Sequence, residues 1–134
     1  GEQMGEPFAR GLRHAAGIGG SSFHLSRQLG GDRATALRVV LLLGGVGGGK
    51  EIDVSRNALG PEEAALVSHA LTLPWVGVTK LNLSNNNIGR KGSGSIANGL
   101  KVNTALTTLS LGYNDIGSDG AVAIAEALEA SALI

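Results

Sequence analysis

The chain contains no cysteine and very few aromatic residues. Among its 134 residues there are two Phe, one Trp and one Tyr. The absence of Cys excludes a disulfide framework and thiolate chemistry. It also favours a cytoplasmic protein, because disulfides form in oxidising compartments. A hydrophobic core in this chain must therefore consist mainly of Leu, Val, Ile and Ala.

The chain also lacks net charge and long apolar runs. Eleven basic and eleven acidic residues give a formal net charge of zero. A neutral chain is a poor electrostatic match for nucleic acid or for an anionic membrane surface. The longest apolar runs, such as the one from Val39 to Leu43, are far too short to cross a bilayer. We therefore expect a protein partner, with no nucleic acid, membrane or cofactor.

What the chain does contain is a repeat of 28 to 29 residues. Residues 81–89 read LNLSNNNIG, residues 109–117 read LSLGYNDIG, and residues 52–60 read IDVSRNALG. A weaker copy at residues 23–30 has Gln28 where the other copies have Asn. A fixed period of this length is the signature of a repeat architecture. Such chains form extended binding surfaces.

A helical pattern follows the glycine that closes each copy. The fourth, seventh and eleventh residues after it are small or apolar, as in Ala64, Val67 and Leu71. Spacings of three and four residues place such side chains on one helical face. The chain is therefore predicted to form a helix followed by four strand–helix units, which start near residues 23, 52, 81 and 109.

This pattern, L-x-L-x-x-N-x-I/L-G followed by an amphipathic helix, resembles the leucine-rich repeat family. It is most similar to the ribonuclease-inhibitor-like class, which includes Ran GTPase-activating protein and the repeat arms of NOD-like receptors. The resemblance implies an α/β solenoid, a right-handed curved stack with a concave parallel sheet and convex helices. It does not imply one activity. We expect residues 1–134 to be a single such domain, in which the helix of a partial repeat precedes about four strand–helix repeats. We expect this domain to belong to a longer chain or a larger assembly. The alternative is a short protein whose ends are covered by a partner.

The asparagines and the strand residues between the apolar positions have predictable roles. Asn57, Asn86 and Asn114 fall where the chain leaves each strand, so their amides should bond the backbone of the turn and of the adjacent unit. Residues beside the inward Ile52 and Val54 should point outward. The predicted outward rows, in the order of the units, are Ser22, Glu51, Lys80, Thr108; His24, Asp53, Asn82, Ser110; Ser26, Ser55, Ser84, Gly112; and Arg27, Arg56, Asn85, Tyr113.

These rows define the candidate site. Glu51 and Lys80 should form an exposed ion pair. His24, Asp53 and Ser55 could suggest a hydrolase triad, but an open sheet face offers no oxyanion donors, so we reject it. Arg and Tyr are common interface anchors. We predict a non-catalytic protein–protein interaction scaffold that binds its partner through the concave face. The predicted contact residues are Arg27, Asp53, Arg56, Lys80, Asn82, Asn85 and Tyr113.

Some alternatives remain open. End-to-end binding could use Ile124, Leu128 and Leu133 on the last helix. A GTPase activator resembling the Ran GTPase-activating protein would need an arginine on a loop beside the sheet, and Arg90 is the candidate. The only Trp, Trp75, is either a plug under its loop or an exposed anchor.

Nucleotide binding is rejected. Residues 44–50 fit G-x-x-x-x-G-K, but Glu51 replaces the Ser or Thr of a phosphate loop, and a helix precedes the motif.

Overall fold

The computed structural model describes residues 22–30, 32–45, 50–73 and 77–130. The predicted first helix, Trp75 and Leu133 lie outside these residues. The elements, in chain order, are β1 (Ser22–His24), α1 (Arg33–Gly45), β2 (Lys50–Asp53), α2 (Pro61–Thr72), β3 (Val78–Asn82), α3 (Gly89–Leu100), β4 (Thr108–Ser110) and α4 (Gly117–Ala130). The described residues therefore form four strand–helix units, whose strands begin at residues 22, 50, 78 and 108.

The strands form one parallel sheet in the order β1-β2-β3-β4. Phe23 pairs with Ile52, Ile52 with Leu81, and Leu81 with Leu109. The register predicted from the repeat is confirmed at every strand pair. Backbone hydrogen bonds continue the alignment beyond the strands, as in Leu83 N–H to Ser110 O at 2.9 Å. Successive units therefore lie side by side, each helix packing on its neighbour.

The core lies between the sheet and the helices and is aliphatic. Ile52 and Leu81 on the strands and Ile96 and Leu100 on α3 are each at most 2% exposed. Equivalent positions in the last unit, such as Leu109 and Ile124, are only partly buried. Within the described residues, no helix is both long enough and apolar enough to cross a membrane.

The repeated asparagines connect the units through buried hydrogen bonds. The Asn86 Oδ1 accepts the N–H groups of Asn57 at 2.8 Å and of Leu59 at 3.0 Å. Its Nδ2 donates to Val54 O at 3.3 Å in the preceding unit and to Leu83 O at 2.8 Å in its own. Asn57 and Asn114 make equivalent bonds to the units before them. The predicted role of these amides is confirmed.

The glycines at the starts of the helices adopt two different backbone conformations. Gly30, Gly89 and Gly117 have φ values of 81°, 69° and 69°, which glycine adopts without steric cost. Gly60 instead has φ −109° and precedes Pro61, which favours an extended residue before it. Its N–H donates to the Glu63 carboxylate at 2.7 Å and completes the cap of α2. Gly60 therefore enters its helix without the left-handed conformation of the other three glycines.

Two further local features set the helix positions. A Cβ on Gly99 of α3 would lie 2.8 Å from the Ser68 carbonyl oxygen on α2, so the two helices approach as closely as glycine permits. At the start of α1, the Asp32 carboxylate accepts the Thr35 N–H at 3.1 Å. Hydrogen bonds from the Thr35 hydroxyl and N–H hold the pKa of Asp32 below its usual value.

Candidate functional site

The outward surface of the sheet, here called the open face, carries polar side chains from three or four neighbouring units. The first two predicted rows are confirmed, since Glu51 pairs with Lys80 and Lys80 with Thr108, while Asp53 pairs with Asn82. The face contains an open groove of about 230 Å³. The polar residues that line the groove are His24, Glu51, Asp53, Lys80, Asn82, Thr108 and Ser110.

The charges of the open face are partly paired within the sheet. The Lys80 Nζ lies 4.0 Å from the Glu51 Oε2, which confirms the predicted pair. Both side chains are about half exposed, at 55% and 46%. Exposed pairs of this kind contribute little to stability, because water and salt screen them. Both groups therefore stay accessible to a partner.

Asp53 and Asn82 have a structural role that the sequence reasoning missed. The Asp53 carboxylate accepts the N–H of Ser55 at 3.0 Å. The Asn82 amide oxygen accepts both the N–H and the hydroxyl of Ser84, at 3.0 Å and 2.7 Å. A short polar side chain that bonds the backbone two residues further on fixes a turn. These two predicted contact residues therefore also shape the exits of β2 and β3.

Ser55 does not point outward as predicted. It is only 2% exposed, and its hydroxyl lies 3.2 Å from the hydroxyl of Ser26. The sheet ends two residues earlier, so the strict alternation that the prediction assumed no longer applies. Among the described residues, no hydrogen bond joins His24 to Asp53, Ser26 or Ser55. The same residues contain no group of three or more His, Asp or Glu side chains that could hold a metal ion.

The row at the strand ends, here called the strand-end row, consists of Arg27, Arg56, Asn85 and Tyr113. Backbone hydrogen bonds keep its members aligned. The Arg27 N–H donates to Ser55 O at 3.2 Å and the Arg56 N–H to Ser84 O at 3.2 Å. The Asn85 N–H donates to Gly112 O at 2.8 Å. The four predicted contact residues therefore lie in one line across the units.

All four residues of the strand-end row adopt the left-handed backbone conformation. Their φ values are 61°, 56°, 58° and 57°. This conformation is uncommon for residues other than Gly, Asn and Asp, because Cβ crowds the following carbonyl oxygen. Asn85 suits the position, whereas Arg27, Arg56 and Tyr113 do not. The sequence reasoning missed this conformation, although Asn at the equivalent position of the third unit was a usable signal.

The side chains of the strand-end row contribute little to the fold. Tyr113 is 86% exposed, and Arg27 and Arg56 are exposed as well. Within the part of the chain that the structure describes, none of these three side chains makes an ion pair or a hydrogen bond. The row therefore presents two guanidinium groups, one amide and one phenol to solvent.

The last unit exposes a second candidate surface. An apolar groove of about 200 Å³ lies between β4 and α4. Leu109, Leu111, Ile124 and Leu128 line this groove, and Leu128 is 51% exposed. The equivalent residues of the third unit are buried against the fourth unit. End-to-end binding thus has a defined surface, which any binding experiment must separate from the open face.

Arg90 lies near the start of α3 and not on a free loop. Its side chain runs over Gly117 of the next unit, since a Cβ on Gly117 would come 2.7 Å from the Arg90 Nε. Arg90 itself is exposed. Its position is accounted for by packing between the starts of two helices.

Comparison with known protein families gives a match over the third and fourth units. The family model described as Leucine Rich repeat matches residues 78–97 and 102–125. The two segments contain β3 with most of α3, and β4 with most of α4. The match supports a leucine-rich repeat protein. Leucine-rich repeats commonly mediate protein–protein interactions and are generally not enzymes. No curated protein matches the chain.

Proposed function

We propose that this chain is a non-catalytic scaffold that binds a protein partner across the open face and the strand-end row. The stack is inferred to curve in the right-handed sense, with the sheet on its concave side. The contact residues in this proposal are Arg27, Asp53, Arg56, Lys80, Asn82, Asn85 and Tyr113. A role within a longer cytoplasmic chain or a larger assembly belongs to the same proposal.

The observation that carries the proposal is the mismatch between side chain and backbone in the strand-end row. A left-handed residue with a Cβ costs roughly 1–2 kcal/mol, and Gly or Asn would reduce that cost. The chain nevertheless has Arg, Arg and Tyr at three of the four positions, where their side chains make no hydrogen bond or ion pair with any described residue. Arg and Tyr are enriched among residues that anchor protein interfaces. A partner explains their presence, whereas folding does not.

The test compares two surfaces with the same partner. A protein captured by the unaltered tagged chain is purified, and its affinity is measured for Arg56→Asn/Tyr113→Asn and for Leu128→Asp. We expect the first variant to lose about 1–3 kcal/mol of binding free energy per residue. Leu128→Asp should bind normally.

The control replaces two exposed helix residues in the same way. Lys91→Asn/Val122→Asn makes a similar chemical change outside the open face and should bind as the unaltered chain does. Circular dichroism and thermal unfolding establish that every variant folds. Retained binding by Arg56→Asn/Tyr113→Asn together with loss in Leu128→Asp would move the site to the apolar end groove and refute the proposal.

No observation on the described residues specifically favours the alternative function of a GTPase activator. Its candidate Arg90 is engaged over Gly117. A GTP hydrolysis assay with candidate GTPases, run with Arg90→Ala, tests it directly. We therefore retain protein binding alone as the proposed function.

A further inference from the structure

The acidic side chains of the open face have bonding partners among the described residues, whereas the arginine side chains of the strand-end row have none there. Glu51 has Lys80 as its counter-ion, and the Asp53 carboxylate accepts the Ser55 N–H. Arg27 and Arg56 have neither an ion pair nor a hydrogen bond from their side chains to any described residue. The unpaired positive charge is therefore concentrated at the strand ends of the first two units, while Asn85 and Tyr113 continue the row as neutral groups.

The spacing of the row defines what could lie across it. Adjacent parallel strands are about 4.8 Å apart, so the four residues of the row extend over roughly 14 Å. An extended peptide rises about 3.3 Å per residue, and its alternate side chains on one face are about 7 Å apart. Two long Arg side chains on adjacent strands can reach two such positions. Each guanidinium can hold one carboxylate through two parallel hydrogen bonds.

We propose that the partner contributes an acidic extended segment that lies across the strand ends, with carboxylates on Arg27 and Arg56. This inference rests on the proposed function and specifies the chemistry of the partner. The segment needs acidic residues only over the first two units, because Asn85 and Tyr113 carry no charge. Two basic groups and one aromatic residue in a neutral chain fit a short acidic peptide better than a nucleic acid, which requires a longer basic surface.

The test measures binding of fluorescently labelled hexaglutamate to the purified chain by anisotropy, with hexaglutamine as the uncharged probe. The unaltered chain should bind hexaglutamate and not hexaglutamine, and the affinity should fall steeply between about 0.05 M and 0.5 M NaCl. Arg27→Gln/Arg56→Gln removes both charges and keeps an unbranched aliphatic stem with a polar end at each position. This variant should bind hexaglutamate at least about tenfold more weakly.

A matched control removes the same net charge elsewhere. Lys91→Gln/Lys101→Gln alters two exposed residues at the two ends of α3 and should keep most of the affinity. Equal weakening by both double variants, or no binding of hexaglutamate by the unaltered chain, overturns the proposal. Tighter binding of a six-nucleotide single-stranded DNA that is also lost in Arg27→Gln/Arg56→Gln would replace the acidic peptide by a nucleic acid and overturn it too.

The proposed function is tested separately from this inference. If the captured partner still requires Arg56 and Tyr113 while hexaglutamate does not bind, the acidic class is wrong and the protein-binding proposal stands. If neither the binding of the captured partner nor the binding of hexaglutamate depends on the strand-end row, both proposals are wrong.

Discussion

Two neighbouring positions of the repeat behave in opposite ways. Asn57, Asn86 and Asn114 are buried, with exposures of 8%, 7% and 2%, and their amides bond two units at once. The residue immediately before each asparagine lies outward on a left-handed backbone, and Tyr113 is 86% exposed.

The difference separates what holds the stack together from what the stack presents. The asparagine position is specified by buried backbone groups of two adjacent units, so the same side chain suits each of the last three units. The preceding position is specified only by its φ, and there the units differ, with Arg56, Asn85 and Tyr113 in turn. Asn would fit the left-handed backbone at this position best, yet the side chain differs between units. Such variation is expected of a binding surface. The following predictions test whether the asparagine position stabilises the stack and the preceding position binds a partner.

The largest effect is expected at Asn86. Asn86→Leu keeps the branching of the side chain at Cγ but leaves the buried N–H groups of Asn57 and Leu59 without an acceptor. Each unsatisfied group costs about 1–3 kcal/mol, so the free energy of unfolding should fall by roughly 2–6 kcal/mol. Urea titration followed by circular dichroism measures the change.

The control for Asn86 is the next residue. Asn87 is exposed, and Asn87→Leu makes the same chemical change without removing a buried acceptor. It should alter the free energy of unfolding by less than about 0.5 kcal/mol. Equal effects at the two positions would mean that the asparagine bonds do not stabilise the stack.

A smaller effect is expected at Asn114, although its repeat position is the same. Its Oδ1 accepts one N–H group, that of Ile88 at 3.2 Å. Asn114→Leu should therefore cost roughly 1–3 kcal/mol, about half the cost of Asn86→Leu. The same urea titration ranks the two variants. An Asn114 variant less stable than the Asn86 variant would contradict the count of lost acceptors.

The sequence predicted the repeating architecture well because periodicity carries that information. The pairing of Phe23, Ile52, Leu81 and Leu109 followed from aligning the copies, and the asparagine bonds followed from backbone groups that need partners in every turn. The outward rows over β2 and β3 followed from strand alternation. Because these features repeat, each copy of the repeat provides an independent check on the positions predicted from the other copies.

Features that depend on the ends of strands were not predictable in the same way. Alternation placed Ser55 outward, but the chain has left the sheet there and turns the hydroxyl inward to Ser26. Asn103 was also missed. It is 4% exposed, donates to Leu71 O at 3.1 Å and accepts the Leu106 N–H at 2.8 Å. A matching asparagine in the preceding unit would have revealed it, but Trp75 occupies that position of the period.

Ser55 provides a test of intermediate size. Ser55→Ala removes a buried hydroxyl that bonds Ser26, so the free energy of unfolding should fall by about 1 kcal/mol. Ser110→Ala on the open face is the control, because no hydrogen bond of its hydroxyl to a described residue is lost, and it should be close to neutral. A silent Ser55→Ala, measured beside Ser110→Ala, would return Ser55 to the outward row.

The smallest change in stability should accompany the largest loss of binding. At Arg56 and Tyr113 the left-handed backbone costs roughly 1–2 kcal/mol for most residues, and Asn tolerates it better. Arg56→Asn and Tyr113→Asn should therefore leave the free energy of unfolding unchanged or raise it by up to about 1 kcal/mol each. Their exposed side chains lose no hydrogen bond or ion pair to any residue that the structure describes.

The matched control is Asn85→Tyr, the reverse exchange in the third unit. It introduces a bulky side chain at the same φ and should lower the free energy of unfolding by up to about 1 kcal/mol. Thermal and urea unfolding of the three variants, measured beside their affinity for the captured partner, test the division between the two positions. If Tyr113→Asn destabilised the chain as much as Asn114→Leu, Tyr113 would be a structural residue, and the strand-end row would lose the argument that makes it a binding surface.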